Sequence, residues 1–155
     1  MNRPYVLSVR QPWAWAILNG KDIENRYAEF PQIYKGPFLL HTGQQCTRDE
    51  YQEGIDFMEQ CGLYGCPALK DLPRGGIVGR VYVDRYTVKH NSKWFVGPLG
   101  IVLSRPKPLP FVRCPGQLGW FRVPPNVVAE LKAKVAQLGQ QSDGRSDIGQ
   151  ESVGG

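Results

Sequence analysis

The sequence predicts an α+β domain in which five to six short strands form a sheet that curls into a small barrel flanked by helices. Three observations predict it. Five β-type runs are spread along the chain. Helix-start signals stand between and after them, so neither an all-β nor an all-α arrangement fits. At 155 residues and 41% hydrophobic content, the chain suits one globular core rather than two.

The elements follow in order. Tyr5-Val6-Leu7-Ser8-Val9 is a short strand. Pro12 fits the first turn of a helix, where a missing N–H is harmless, and Trp13 to Leu18 continue it as a buried apolar helix closed by Asn19-Gly20. Asp22 to Arg26 reads as extended. Phe38-Leu39-Leu40-His41, opened by Gly36-Pro37, is a second clear strand. Thr47-Arg48-Asp49-Glu50 is a capping box that starts a helix through Gln60, with Tyr51, Ile55 and Met58 on one face. Gly76 to Val83 is the strongest strand, and its glycines suggest a bend or a close backbone approach. Leu99 to Leu103 is another strand. Pro106, Pro108, Pro110 and Pro115 then force a rigid extended crossing. Leu118 to Val123 is the last strand. Pro124-Pro125 starts a final helix with an apolar stripe of Val127, Val128, Leu131, Val135 and Leu138. The organisation expected is a folded body over 1–138 and a disordered tail over 139–155, which has no apolar period.

Charge divides along the same line. Residues 1–138 carry 18 Lys and Arg against 11 Asp and Glu, a balance of +7, and 139–155 carry one against three, a balance of −2. A basic body is the footprint of a phosphate-bearing partner, although many soluble proteins are mildly basic. Cys46, Cys61, Cys66 and His41, His90 do not form the clustered set that zinc needs, so neither metal nor cofactor is expected. No apolar run is long enough to cross a membrane, and Met1 to Tyr5 lack the apolar segment of a signal peptide. The expectation is a cytoplasmic monomer with reduced thiols.

The chemistry concentrates in Ser8-Val9-Arg10-Gln11-Pro12-Trp13 and in Gly20-Lys21-Asp22-Ile23-Glu24-Asn25-Arg26. If 22–26 is extended, Glu24 and Arg26 share one face and Ile23 takes the other. Lys21 and Arg26 can hold a phosphate or polarise a carbonyl, and Glu24 can accept from an exocyclic amine or act as a base if desolvated. The alternative is a solvated set of ion pairs closing a turn. Lys21, following a helix-ending glycine, is expected to be exposed, so that its removal spares the fold. Trp94, in a Gly/Pro loop beside Lys93, is a candidate for base stacking. Trp13, Trp15, Phe95 and Trp120 read as core. His41 either faces the cleft or satisfies a backbone carbonyl. Arg80, Arg85 and Arg105 read as solvated strand residues.

With these motifs the chain resembles the ASCH family of PUA-like barrels across about residues 5–123. The carriers are the two segments above, the second corresponding to the family signature Gly-x-Lys-x-x-Glu-x-Arg without the residue between Gly and Lys. Gly36 to His41, Gly75 to Gly79, Trp94 to Gly100, Leu109-Pro110-Phe111 and Gly116 to Gly119 add to it. The resemblance implies a PUA-like fold and a cleft for RNA or a modified nucleobase in which Lys21, Glu24 and Arg26 converge. Arg10, His41 and Trp94 are further ligand-binding candidates. Some small family members remove an acyl group from N4 of cytidine with a Lys, a Thr and a Glu, and others are ribonucleases. This chain has Glu24 where the first group places its Thr. The resemblance therefore implies two readings. One is RNA or nucleobase binding. The other is a hydrolase with Lys21 as nucleophile or activating cation and Glu24 as proton carrier.

Overall fold

The computed structural model describes residues 3–154, and side chains within 3–140. Its elements in chain order are β1 (Tyr5–Ser8), α1 (Trp13–Leu18), β2 (Ile23–Arg26), β3 (Gly36–Thr42), α2 (Arg48–Gln60), β4 (Gly76–Thr87), β5 (Leu99–Arg113), β6 (Phe121–Arg122) and α3 (Pro125–Gly154), with a short 3-10 turn at Leu69–Asp71. The six strands form one mixed sheet in the order β2-β5-β4-β3-β1-β6. Only β1 and β3 run parallel. The α+β class and the six strands match the expectation. The sheet is not closed into a barrel: β2 and β6 remain its two edges.

The proline-rich segment after Leu103 is part of β5 rather than a separate crossing. β2 pairs only with Leu99 to Val102. Beyond that point β5 has β4 on one side and no strand on the other, so the N–H groups that Pro106, Pro108 and Pro110 lack are not missed by a second neighbour. Register shifts along the β4–β5 pairing absorb the remaining misfit.

The core is built where the sheet meets the helices. Leu7, Ile17, Phe38, Leu40, Val81 and Ile101 form its centre, with Trp120 packed against it. A second cluster joins Val6, Ile77, Val112 and Phe121 to Val127 of α3, with Val128 and Leu131 alongside. The apolar stripe of α3 is only half used, since Val135 and Leu138 are exposed. The tail expected over 139–155 falls on the end of this helix, where side chains from 141 onward lie outside the described residues. A third cluster, Ala16, Ile23, Met58 and Trp94, ties α1, α2 and β2 together and forms the floor beneath the signature residues.

Candidate functional site

Gly20 makes the site possible. It sits at φ 130° just past α1, where a side chain would be strained, and turns the chain so that Lys21 N–H donates to the Ala16 carbonyl at 2.9 Å. Lys21 is thereby folded inward. Contrary to the expectation of an exposed lysine, it is only 4% exposed. Its Nζ donates to Glu24 Oε1 at 3.0 Å and to the Ile23 carbonyl, and lies 5.8 Å from the centre of the Trp13 ring.

Glu24 and Arg26 lie on the same face of β2, two residues apart, while Ile23 points into the floor. Arg26 Nη2 is 3.0 Å from Glu24 Oε2 and donates to the Ser8 carbonyl at 2.9 Å. Its guanidinium lies over Phe30, and its Nε is buried without a partner. Burial alone would push the Glu24 carboxyl up. The charges of Lys21 and then Arg26, with the hydrogen bonds of both, outweigh it and hold the carboxyl below its ordinary 4.5. The three residues are thus a cation–anion–cation array, with Lys21 and Glu24 buried and Arg26 half-buried, rather than solvated pairs.

The array opens on two adjoining cavities. One, of about 380 Å³, is lined by Trp13, Lys21, Glu24, Asn25, Glu53, Phe57 and Val96. The other, of about 630 Å³, includes Arg10, Glu24, Arg26, Tyr27, Pro98 and Leu118 on its walls. Trp13, Glu24 and Asn25 belong to both, so the two form one cleft of the size that small ligands occupy.

The other expected residues divide. Arg10 lines the cleft but is not joined to the array. Its side chain is 60% exposed and its Nη1 is 2.9 Å from Glu50 Oε1. Glu50 is the same residue whose other oxygen accepts from Thr47 N–H in the capping box of α2. His41 takes the second of the alternatives left open for it, satisfying a backbone carbonyl. Its Nε2 donates to the Cys114 carbonyl at 2.7 Å, which leaves Nδ1 to accept from the Ser8 hydroxyl at 2.9 Å. Burial pushes its pKa down, against the pull of the Cys114 carbonyl. It lines a neighbouring cavity of about 800 Å³ that meets the cleft at Ser8, Gln117 and Leu118. Trp94 is corrected. It is 7% exposed, packs on Ala16, Ile23 and Met58, and contributes its backbone carbonyl rather than its ring to the site.

Sequence reasoning missed Asn25, the position between the two signature charges. Its Nδ2 donates to the Trp94 carbonyl at 2.9 Å, and its Oδ1 accepts from Val96 N–H at 2.8 Å and Gly97 N–H at 3.0 Å. One amide therefore pins the 94–97 loop as a wall of the cleft. An Asn between Glu24 and Arg26, on a strand, was the available signal. Tyr27 was missed too. It is 57% exposed on the cleft wall, where Leu118 is fully exposed. Trp13, expected in the core, packs there and also faces the cleft.

No family model matches the chain, and no curated protein matches it. Solved structures do. The crystal structure of ASCH from Zymomonas mobilis aligns at a TM-score of 0.52 and 12% identity, over 83% of this chain and 93% of that one. A Tyr-to-Phe mutant of the same protein aligns at 0.52 and 12%, over 83% and 96%. A Ser-to-Ala mutant aligns at 0.50 and 12%, over 85% and 96%. The chain has the α+β ASCH fold, in agreement with the resemblance its motifs carry.

Proposed function

We propose that this domain binds RNA, or a modified nucleobase, in the cleft carrying Lys21, Glu24 and Arg26. The observation that carries the reading is the buried array itself. Two cations fix one carboxylate at the cleft wall, and an ionised carboxylate is an acceptor for exocyclic amines. Tyr27 offers the exposed ring on which a base can stack.

The hydrolase reading is less well supported. A proton carrier works best with a pKa near the working pH, and Glu24 is held below the ordinary carboxylate value, in the direction of a weaker base. Glu24 in this array binds and orients. The test is a panel of nucleosides, including cytidine and N4-acetylcytidine, incubated with the purified chain from about pH 6 to about pH 9, a window that brackets neutral-pH catalysis. Mass spectrometry and calorimetry then read turnover and binding. Expected is binding of an amine-bearing nucleoside without deacylation, weakened about ten- to hundredfold by Tyr27→Ala through lost stacking. Robust turnover abolished by Glu24→Gln would establish the hydrolase instead.

A further inference from the structure

Away from the cleft, at the other end of β1, four arginines gather without an ion-pair partner among the described residues. Arg3, Arg80 and Arg122 line a cavity of about 290 Å³ together with Tyr5 and Tyr34. The Arg122 guanidinium stacks 3.7 Å from the centre of Tyr5, whose ring is 4.5 Å from that of Tyr34. Arg80 extends the group sideways. Its guanidinium lies 5.6 Å from the centre of Tyr82, and that of Arg105 lies 4.9 Å from the same ring.

Among the described residues, none of these four arginines has a carboxylate within ion-pair distance. Asp84, farther along β4, has its carboxylate engaged by the Ser104 hydroxyl at 2.6 Å. The Nε of Arg80 is buried without a partner. Two guanidiniums sharing one ring repel each other, and among the described residues no carboxylate lies within ion-pair distance to offset that repulsion.

The backbone is bent to create this arrangement. The pairing of β4 with β5 shifts register between Arg80 and Tyr82, and Arg105 stands in the shifted segment. It is the only residue other than glycine with positive φ among those described, at 52°. Left-handed backbone at a bulky residue persists where the surroundings or a function require it.

We propose that this arginine–tyrosine face is a second binding surface, for the phosphates of single-stranded RNA, distinct from the cleft. Guanidiniums stacked on tyrosines are held in place and match phosphate bidentately. Arg122 gives one Nη1 donor to the Arg3 carbonyl at 2.7 Å, which fixes it further and leaves its other N–H groups for a phosphate. The inference extends the reading that the chain binds RNA but rests on other residues.

The experiment measures the affinity of the full chain for a fluorescently labelled oligouridylate across a salt series, by anisotropy. Each phosphate contact to a single strand contributes about 0.7 to the log–log salt slope. Arg105→Gln and Arg122→Gln, both at exposed positions, and Arg80→Gln should each flatten the slope by about 0.7 and weaken binding at low salt, and the triple variant should flatten it by about 2. Thermal unfolding verifies that the variants are folded, and nucleoside binding in the cleft should be unchanged. Tyr27→Ala should do the reverse, weakening nucleoside binding with the slope intact. Should Tyr27→Ala leave every nucleoside unaffected while the arginine variants flatten the slope, the cleft reading fails and this one stands. Unchanged slopes in the arginine variants, or no oligouridylate binding at low salt, overturn it. So does a preference for polyglutamate, which would make the face a site for acidic protein.

Discussion

Lys21, Glu24 and Arg26 show how a local pattern can be legible while its setting is not. That Glu24 and Arg26 share a face follows from the two-residue period of a strand. That Lys21 is buried does not follow, because the burial depends on α1, α2 and the Trp94 loop closing over it. Trp94 was misjudged for the same reason: a Gly/Pro loop reads as exposed until Asn25 is seen to fasten it down. The burial changes what mutation should do. Lys21→Ala leaves a carboxylate in the interior with one cation fewer, and breaking such a buried pair is destabilising by about 3–5 kcal/mol. For a domain of this length that corresponds to a fall in Tm on the order of 10 °C. An unchanged Tm by calorimetry would return the array to the status of a solvated turn. The same groups set the acid limb of stability. His41 is held neutral below its ordinary 6.5 and Glu24 ionised below its ordinary 4.5, so in each case the unfolded chain binds protons more readily than the folded one. The contribution of these two groups is therefore full above about pH 6.5. It should decline first as unfolded His41 protonates, and again below about pH 4.5 as Glu24 does. Urea titrations across pH should show both stages, and His41→Gln should remove the upper one.

At the scale of elements, the helices and most strands were legible because their signals are local: Pro12 at the start of α1, the Thr47–Glu50 capping box of α2, and the apolar runs of β3 and β4. The full length of β5 was not, since prolines argue against a strand unless one knows that β2 stops at Val102. Gly54 carries a similar tertiary secret. In the middle of α2 a glycine is a poor helix former, and replacement by alanine should by propensity alone stabilise the chain by about 1 kcal/mol. A Cβ there, however, would lie 2.5 Å from Cγ of Pro12, a ring with no room to yield. Overpacking of this kind is destabilising by about 1–3 kcal/mol, so the packing term should win. Gly54→Ala is expected to lower stability in denaturant titration. It should also weaken nucleoside binding, because pushing α2 off α1 moves Glu53 and Phe57, which line the cleft. A stabilised variant would mean that the two helices are docked more loosely than their contact implies.

For the whole molecule, the net charge of +5 conceals a division between one acidic element and a basic remainder. α2 carries Asp49, Glu50, Glu53, Asp56 and Glu59 against Arg48, a balance of −4. The rest of residues 1–138 then has 17 basic against 6 acidic side chains, a balance of +11. On the proposed reading, an RNA backbone would be repelled by the charge of α2 and drawn to the arginines, so the field would orient the strand before contact. The last turn of α2 holds no basic residue, although cations are favoured there by the helix dipole. Glu59→Lys with Gln60→Lys should therefore stabilise the fold by about 0.3–1 kcal/mol per added cation. The pair should also raise the affinity for single-stranded RNA several-fold at low salt, chiefly through faster association. Because both positions are exposed, the gain should fade once the salt reaches about 1 M, where the screening length is about 3 Å. Stopped-flow association with the labelled oligouridylate at low and high salt measures this directly. An unchanged association rate at low salt would show that RNA approaches from a side on which the charge of α2 is not felt.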